Sequence, residues 1–428
     1  MNIDELIRDS LAEQAAEQQS PVPAFADRAL SVRHRRARTL ASLAAVTSAA
    51  VALSIAVPML DSGKGDAPPQ RSSKHAVPHP RFSQFNVPIP HFDGDNSPLA
   101  SNRDQGDVIT QPDQSPPRDL IAAGGTALAA YYTSSVDKQN ADKGVTRRTY
   151  RILDQKTGTY RKDTRWSFID VAPGLRTAAV LEQSLPVKRI GLLDLLTGKV
   201  EGWIPLDRGV ASVAFSPDGG KLVATTYATN PDLVVRPHHD VDDDGKNNDW
   251  IPKWDQSRRT GFYILDMASG KGSWCPALFE SKIPVLFARQ DFDFSSDGTL
   301  VHSRRVGAPG YQFFDLKGNK VAASAKERYL PDSVEGGLSP DGRLTAEGTT
   351  ILDSRTGKQL QKTPGERLIA WADNKRLIAW DNTPNANEFH SRLVLVTIGN
   401  DKTLPLSGFL QGDGEDAPER WTPLFTER

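Results

Sequence analysis

The chain of 428 residues has one cysteine, Cys275. That excludes an intrachain disulfide and any zinc site built from cysteines. Cys275 reads as a small buried apolar residue, with an intermolecular disulfide as the alternative. Net charge is also scarce. Lys and Arg number 52 and Asp and Glu 53, a formal charge of −1. No overall field therefore draws the protein to nucleic acid or anionic lipid. The patterns G-x-S-x-G, H-E-x-x-H, G-x-x-x-x-G-K-[ST] and G-x-G-x-x-G are all missing, which removes the commonest signatures of hydrolases, zinc peptidases and nucleotide-binding enzymes. Ser135 to Lys138 matches Ser-x-x-Lys, a pattern short enough to arise by chance, and is expected in a polar loop.

Turn formers are plentiful. The 33 Gly and 30 Pro suit a turn-rich β protein rather than a helical bundle. One long apolar run exists, "TLASLAAVTSAAVALSIAVPML" at 39–60. It is long enough to cross a ~30 Å hydrocarbon core as a helix. Arg33, Arg35, Arg36 and Arg38 precede it, and mixed charge follows. The positive-inside bias places 1–38 in the cytoplasm and the rest outside, a single-pass cell-membrane protein. A cleaved secretory signal starts closer to the N-terminus and has a shorter apolar core. A twin-arginine signal needs apolar residues where Arg38 and Thr39 stand. Within 1–38, Ile3, Leu6, Ile7 and Leu11 have helical spacing. Residues 61–118 carry ten prolines among polar residues and read as an extracytoplasmic spacer. Phe82, Phe85, Ile89 and Phe92 within it are candidates to pack on the next domain, and His75, His79 and His91 are read as solvated.

Beyond the spacer two phrases recur. "FSPDGGKLVA" at Phe215, "FSSDGTLVHS" at Phe294 and "LSPDGRLTA" at Leu338 form one set, with "WADNKRLIAW" at Trp371 a degenerate copy. The other set is "ILDQKTGTY", "LLDLLTGKV", "ILDMASGKG", "FFDLKGNKV" and "ILDSRTGKQL", with its Asp at 154, 194, 266, 315 and 353; "LVTIGNDKTL" at Leu395 is a sixth candidate. Each phrase is a β-hairpin turn between apolar segments. The Asp spacings are 40, 72, 49 and 38. A period near 40 built from two hairpins is one four-stranded propeller blade. The gap of 72 is one blade plus about 32 residues of insertion, near 226–260.

These phrases resemble the S-P-D-G repeats of Tol-type and WD-repeat-like β-propellers over roughly 119–405. The layout is similar to actinobacterial single-pass proteins with an external propeller. The resemblance implies an all-β fold at 119–428, a six-bladed or seven-bladed β-propeller of four-stranded blades. N-terminal helices, one of them transmembrane, precede it. "ERWTPLFTER" at the C-terminus either completes the first blade or belongs to a seventh.

The insertion contains "RPHHDVDDDGKNNDWIP". Asp240, Asp242, Asp244 and Gly245 fit the start of a calcium loop, with alternating carboxylates and a glycine turn. Lys246 offers a backbone carbonyl, and Asn248 and Asp249 further oxygens. Position 12 is Ile251 rather than the Glu of an EF-hand, so the loop is nearer to the D-x-D-x-D-G-x-x-D loops of integrin-type propellers. The alternatives are a solvated turn, or a transition metal at His238 and His239. Trp250 and Trp254 flank the run as binding anchors or as packing residues. His302 and His390 are candidates for the channel or for structural roles.

The function expected is binding: a membrane-anchored scaffold for a protein, peptide or cell-wall ligand, with calcium the one cofactor suggested. Two rival readings stand beside it. One is transmembrane signalling with a propeller sensor, and the other a propeller hydrolase or lyase with residues at the channel mouth.

Overall fold

The computed structural model describes residues 83–86, 89, 106–109, 111–237, 250–253, 259–278, 289–305, 310–330, 337–382, 389–411 and 420–428. The chain separates into two units, Met1–Ala76 and Val77–Arg428, and all described residues belong to the second. The cytoplasmic segment, the 39–60 span and the acidic run at Asp240, Asp242, Asp244, Lys246, Asn248 and Asp249 lie outside the described residues.

Every element described is a strand. The first are β1 (Ser83–Asn86), β2 (Val108–Ile109), β3 (Ile121–Ala123), β4 (Thr126–Lys138), β5 (Lys143–Asp154) and β6 (Thr159–Asp163). A second set follows: β7 (Trp166–Val171), β8 (Thr177–Glu182), β9 (Val187–Asp194) and the start of β10 (Lys199–Phe215). The β10 register breaks between Pro205 and Val210. Its later part opens a third set with β11 (Lys221–Tyr227), β14 (Arg259–Asp266) and β15 (Lys271–Pro276), while β12 (Leu233–Val235) and β13 (Ile251–Pro252) lie between β11 and β14 in the chain. Then come β16 (Phe292–Phe294), β17 (Leu300–Arg304), β18 (Tyr311–Asp315) and β19 (Lys320–Val321). The next sheet holds β20 (Leu344–Glu347), β21 (Thr350–Asp353) and β22 (Gln359–Lys362), with Leu338 bridged to Thr345. Last are β23 (Arg367–Trp371), β24 (Arg376–Asp381), β25 (Arg392–Thr397), β26 (Thr403–Pro405) and β27 (Trp421–Glu427).

All strand pairings are antiparallel, and most join strands consecutive in the chain, as in a meander. β11 instead pairs with β14, β1 with β15 and β12 with β5. β27 is a further exception. It pairs with β4, Trp421 opposite Thr133 and Glu427 opposite Thr126. The C-terminal strand thus completes the sheet begun by β4, β5 and β6 and covers an edge that would otherwise be open.

The middle strands of each set lack the alternation of a half-exposed sheet. Ala127 to Ala130 on β4, Ala178 to Leu181 on β8 and Leu393, Val394 and Val396 on β25 are all fully buried. Continuous burial means both faces are covered, here by the adjacent sheets. The hydrophobic clusters say which sheets touch. One joins β4 and β5 to β7 and β8 on one side and to β24 and β25 on the other. Others join the second set to the third, the third to β16–β18, and β20–β21 to β23–β25. The first set therefore packs between the second and the last. This is the strand plan of a β-propeller.

The recurring phrases have one turn chemistry each. In the first, Ser216 Oγ donates to Asp218 Oδ1 at 2.5 Å and accepts from Lys221 N at 2.8 Å. Ser295 does the same with Asp297 and Leu300, and Ser339 with Asp341 and Leu344. One hydroxyl ties the two strand ends, while the Asp caps the turn. In the second phrase Asp154, Asp194, Asp266, Asp315 and Asp353 each accept from a backbone N–H two or three residues on. Gly158, Gly198, Gly270 and Gly357 follow at φ near +70°, a conformation that other residues adopt only under strain.

Three details depart from or sharpen the sequence reading. Ser135 and Lys138 lie on strand β4, not in a loop. Three residues apart on a strand, they point to opposite faces and cannot act together. Part of the Pro-rich stretch joins the fold: β1 pairs with β15, and Ile89 packs against the second core. Cys275 is fully buried.

Candidate functional site

The innermost strands surround a cavity of about 750 Å³, within the ~300–1,000 Å³ range of ligand pockets. Every residue from Arg420 to Glu427 lines it, so it runs the whole length of β27. Its wall is partly aromatic. Trp380 and Trp421 meet edge to face with ring centroids 5.3 Å apart, and Tyr131 packs on the other side of Trp421 at 5.3 Å.

One end of the cavity is acidic. Asp170 on β7 and Asp293 on β16 line the same recess together with Thr426 and Glu427. Asp170 Oδ2 accepts from Phe215 N at 2.7 Å. Burial pushes the Asp170 carboxyl up to about 7; the Phe215 N–H opposes this and the Asp293 carboxylate adds to it. Asp293 accepts from Phe294 N at 2.7 Å. Its surface is open to the cavity, yet protein surrounds it, and burial raises its pKa while His302 lowers it. His302 stands directly opposite Asp293 in the β16–β17 pairing. Its ring packs against Tyr311 at 5.0 Å and Phe313 at 5.2 Å.

The other end of β27 carries a cation. Arg420 Nη1 is buried without a hydrogen-bond partner among the described residues. Its guanidinium lies 5.8 Å from the Phe389 ring, and no carboxylate among the described residues pairs with it. Arg367, at the start of β23, also lines the cavity. Lys326 lines it as well, with its stem against Gly342.

A second polar cluster sits at the root of the insertion. Asp232 accepts from Arg148 at 2.6 and 3.0 Å and from Arg289 at 2.8 and 2.9 Å. Arg289 also donates to Asp291 at 3.0 Å and to Ala211 O at 3.0 Å. Tyr227 donates to Asp291 at 2.8 Å. Desolvation works against the Asp232 carboxylate, but the two guanidiniums overcome it and hold its pKa far below the usual range. The charges cancel within the cluster, and the donors are satisfied. This arrangement fixes structure: it ties β5, the insertion root and the segment before β16. The insertion root is also held by backbone, since Leu233, Val234 and Val235 pair with Val145, Gly144 and Lys143.

Of the residues proposed from sequence, the acidic run lies outside the described residues. Among those described, no group of three or more His, Cys, Asp or Glu is placed to hold a metal. Trp250 packs on β5, its ring close to Gly144 and under Arg236 at 4.9 Å. Trp254 is outside the described residues. His302 lines the cavity; His390 is half-buried away from it. The residues sequence reading missed are Asp170, Asp293 and Arg420. The first two had a signal: each interrupts an apolar inner strand, as "FIDV" and "FDF".

No family model matches the chain, and no curated protein matches it in sequence. Solved structures with similar folds include TolB from Acinetobacter baumannii, at 16% identity and a TM-score of 0.33, covering 66% of this chain and 66% of that one. The Cps50 (Swd1) β-propeller domain of Myceliophteria thermophila aligns at 13% identity and a TM-score of 0.33, over 70% of this chain and 88% of that one. The dihydro-heme d1 dehydrogenase NirN, solved in complex with DHE, aligns at 18% identity and a TM-score of 0.30, over 73% and 71%.

Proposed function

We propose that the protein is a membrane-anchored, extracytoplasmic binding module built on a six-bladed propeller. The blades would be β27–β4–β5–β6, β7–β10, the later β10 with β11, β14 and β15, β16–β19, the Leu338 bridge with β20–β22, and β23–β26. The anchor would be 39–60, with 1–38 in the cytoplasm. The single observation that supports binding is the axial cavity, which runs along β27 and carries at one end Arg420, whose Nη1 has no hydrogen-bond partner among the described residues. A purely structural ring gains nothing from a buried guanidinium nitrogen left without an acceptor, since such an atom costs stability. Affinity capture tests the reading. The detergent-solubilised full chain should enrich one envelope component, reproducibly and in proportion to chain loaded. Enrichment no greater than on blank resin contradicts it.

A second reading has a specific observation in its favour. Asp170 and Asp293 line the recess at one end of the cavity, and His302 stands opposite Asp293 on the ladder, a pair of carboxylates with a histidine that suits acid–base chemistry. Release of products from envelope peptide or polysaccharide, abolished by Asp170→Asn and His302→Gln, would support an enzyme. Turnover unaffected by both changes contradicts it.

A further inference from the structure

We propose that the axial cavity binds a short extended peptide laid along β27. Its free carboxylate would sit at Arg420 and its free amine at Asp170 and Asp293. The proposal rests on the binding-module reading and names the ligand class for its cavity.

Three independent features lead to it. The first is length. The cavity is lined from Arg420 to Glu427, and a strand of that extent spans ~20–25 Å at ~3.3 Å per residue. An extended peptide of about six residues spans the same distance. The second is edge chemistry. Among the described strands β27 pairs with β4 alone. Its second edge faces the axis; apart from Glu427 O, which accepts from Gly174 N, and Pro423, which has no N–H, it offers backbone donors and acceptors of the kind an added strand satisfies. The third is polarity. Arg420 Nη1 has no partner among the described residues at one end. At the other, Asp170 and Asp293 each use one oxygen on a backbone N–H and form no ion pair with any described residue. Lys326 lines the cavity too, yet pairs with neither acid.

The polarity sets the orientation. A carboxylate at Arg420 supplies the missing acceptor in a charge-assisted bond. An ammonium between Asp170 and Asp293 offsets the repulsion between two acids that burial already disfavours. Trp380 and Trp421 are buried against each other behind the wall and offer a ligand no side-chain pocket. Selection therefore acts on the two ends and the backbone.

The test is calorimetry with the detergent-solubilised full chain and the probe Ala-Gly-Ala-Gly-Ala-Gly. Three forms are compared: free termini, N-acetylated and C-amidated. The free peptide should bind, and each blocked form should bind at least tenfold more weakly. Arg420→Gln should erase the penalty of amidation, and Arg420→Lys, which keeps the charge, should restore it. Asp170→Asn with Asp293→Asn should erase the penalty of acetylation. Thermal melts of each variant establish that it is folded. No binding by folded wild-type protein at millimolar peptide overturns the proposal, as does binding indifferent to both ends. Sensitivity to one end only overturns the two-pole orientation. Envelope capture that persists when the peptide fails would keep the binding module and remove the cavity from it.

Discussion

Asp293 faces His302 directly across the β16–β17 ladder, and both line the cavity that Asp170 also lines. Opposed side chains on a ladder stand ~4.5–5.5 Å apart at Cβ. The histidine therefore tempers one acid of the pair and leaves Asp170 the more dependent on burial.

This gives a pH-dependent stability. The folded-state pKa of Asp170 is raised from 3.8 to about 7. The folded state thus holds a proton that the unfolded state has released. Its favourable contribution is complete below about pH 4 and is lost as pH rises through about 7. Asp170→Asn keeps the acceptor for Phe215 N but cannot ionise. It should stabilise the protein by about 1–3 kcal/mol at pH 8, because Asp170 is partly exposed and solvent screens the carboxylate, and by little at pH 4. Thermal melts at both pH values measure this. Equal changes at pH 4 and pH 8 would contradict it.

Asp232 behaves in the opposite sense. It sits between Arg148 and Arg289, and its side chain is 5% exposed. Asp232→Asn leaves two guanidiniums facing each other with one carboxylate, Asp291, remaining. The expected loss is ~3–5 kcal/mol by denaturant titration. Limited proteolysis should cut the insertion first, because its root loses its tie to β5. A loss below 1 kcal/mol would show that the cluster does not hold the insertion root.

Ring closure depends on Trp421. Its indole is 2% exposed, packs between Tyr131 and Trp380, and donates to Ser115 Oγ at 3.0 Å. Trp421→Ala should cost about 3–5 kcal/mol. Hydrogen exchange on β27 and on its partner β4 should rise together. Fast exchange confined to β27 would mean that the closing strand frays without opening the first sheet.

The repeats were legible because their turns are local. A Ser, an Asp and a Gly within five residues make the whole knot, so Ser216, Ser295 and Ser339 announce it in the sequence. The joining of β27 to β4 was readable as one of two options, since a closing strand needs only an apolar segment after the last repeat. The Arg148–Asp232–Arg289 cluster was not readable. Its members lie 84 and 57 residues apart, and nothing local marks a charge that will be buried against a distant partner. Asp170 and Asp293 were hidden for a related reason. An Asp in a short apolar strand reads as a turn neighbour until the inner strands are known to converge. The match at Ser135 and Lys138 reads as chance, and only its placement differs: both lie on β4 rather than in a loop, because a four-residue pattern carries no information about strand or loop.

Calcium remains an expectation of the acidic run from Asp240 to Asp249. Millimolar calcium should raise the melting temperature, and chelator should reverse the rise, given the ~10⁻⁴–10⁻³ M affinities of extracellular modules. No shift across that range would sink the assignment.

The arrangement across the membrane is the central claim. The chain is well suited to testing it, because Cys275, its sole cysteine, is buried. Cysteines introduced as Lys156→Cys, in an exposed turn, and as Ser10→Cys can be labelled with a membrane-impermeant maleimide on intact cells. The account predicts that Cys at 156 labels without lysis and that Cys at 10 labels only after permeabilisation. Labelling of position 10 on intact cells, or protection of position 156, would contradict it.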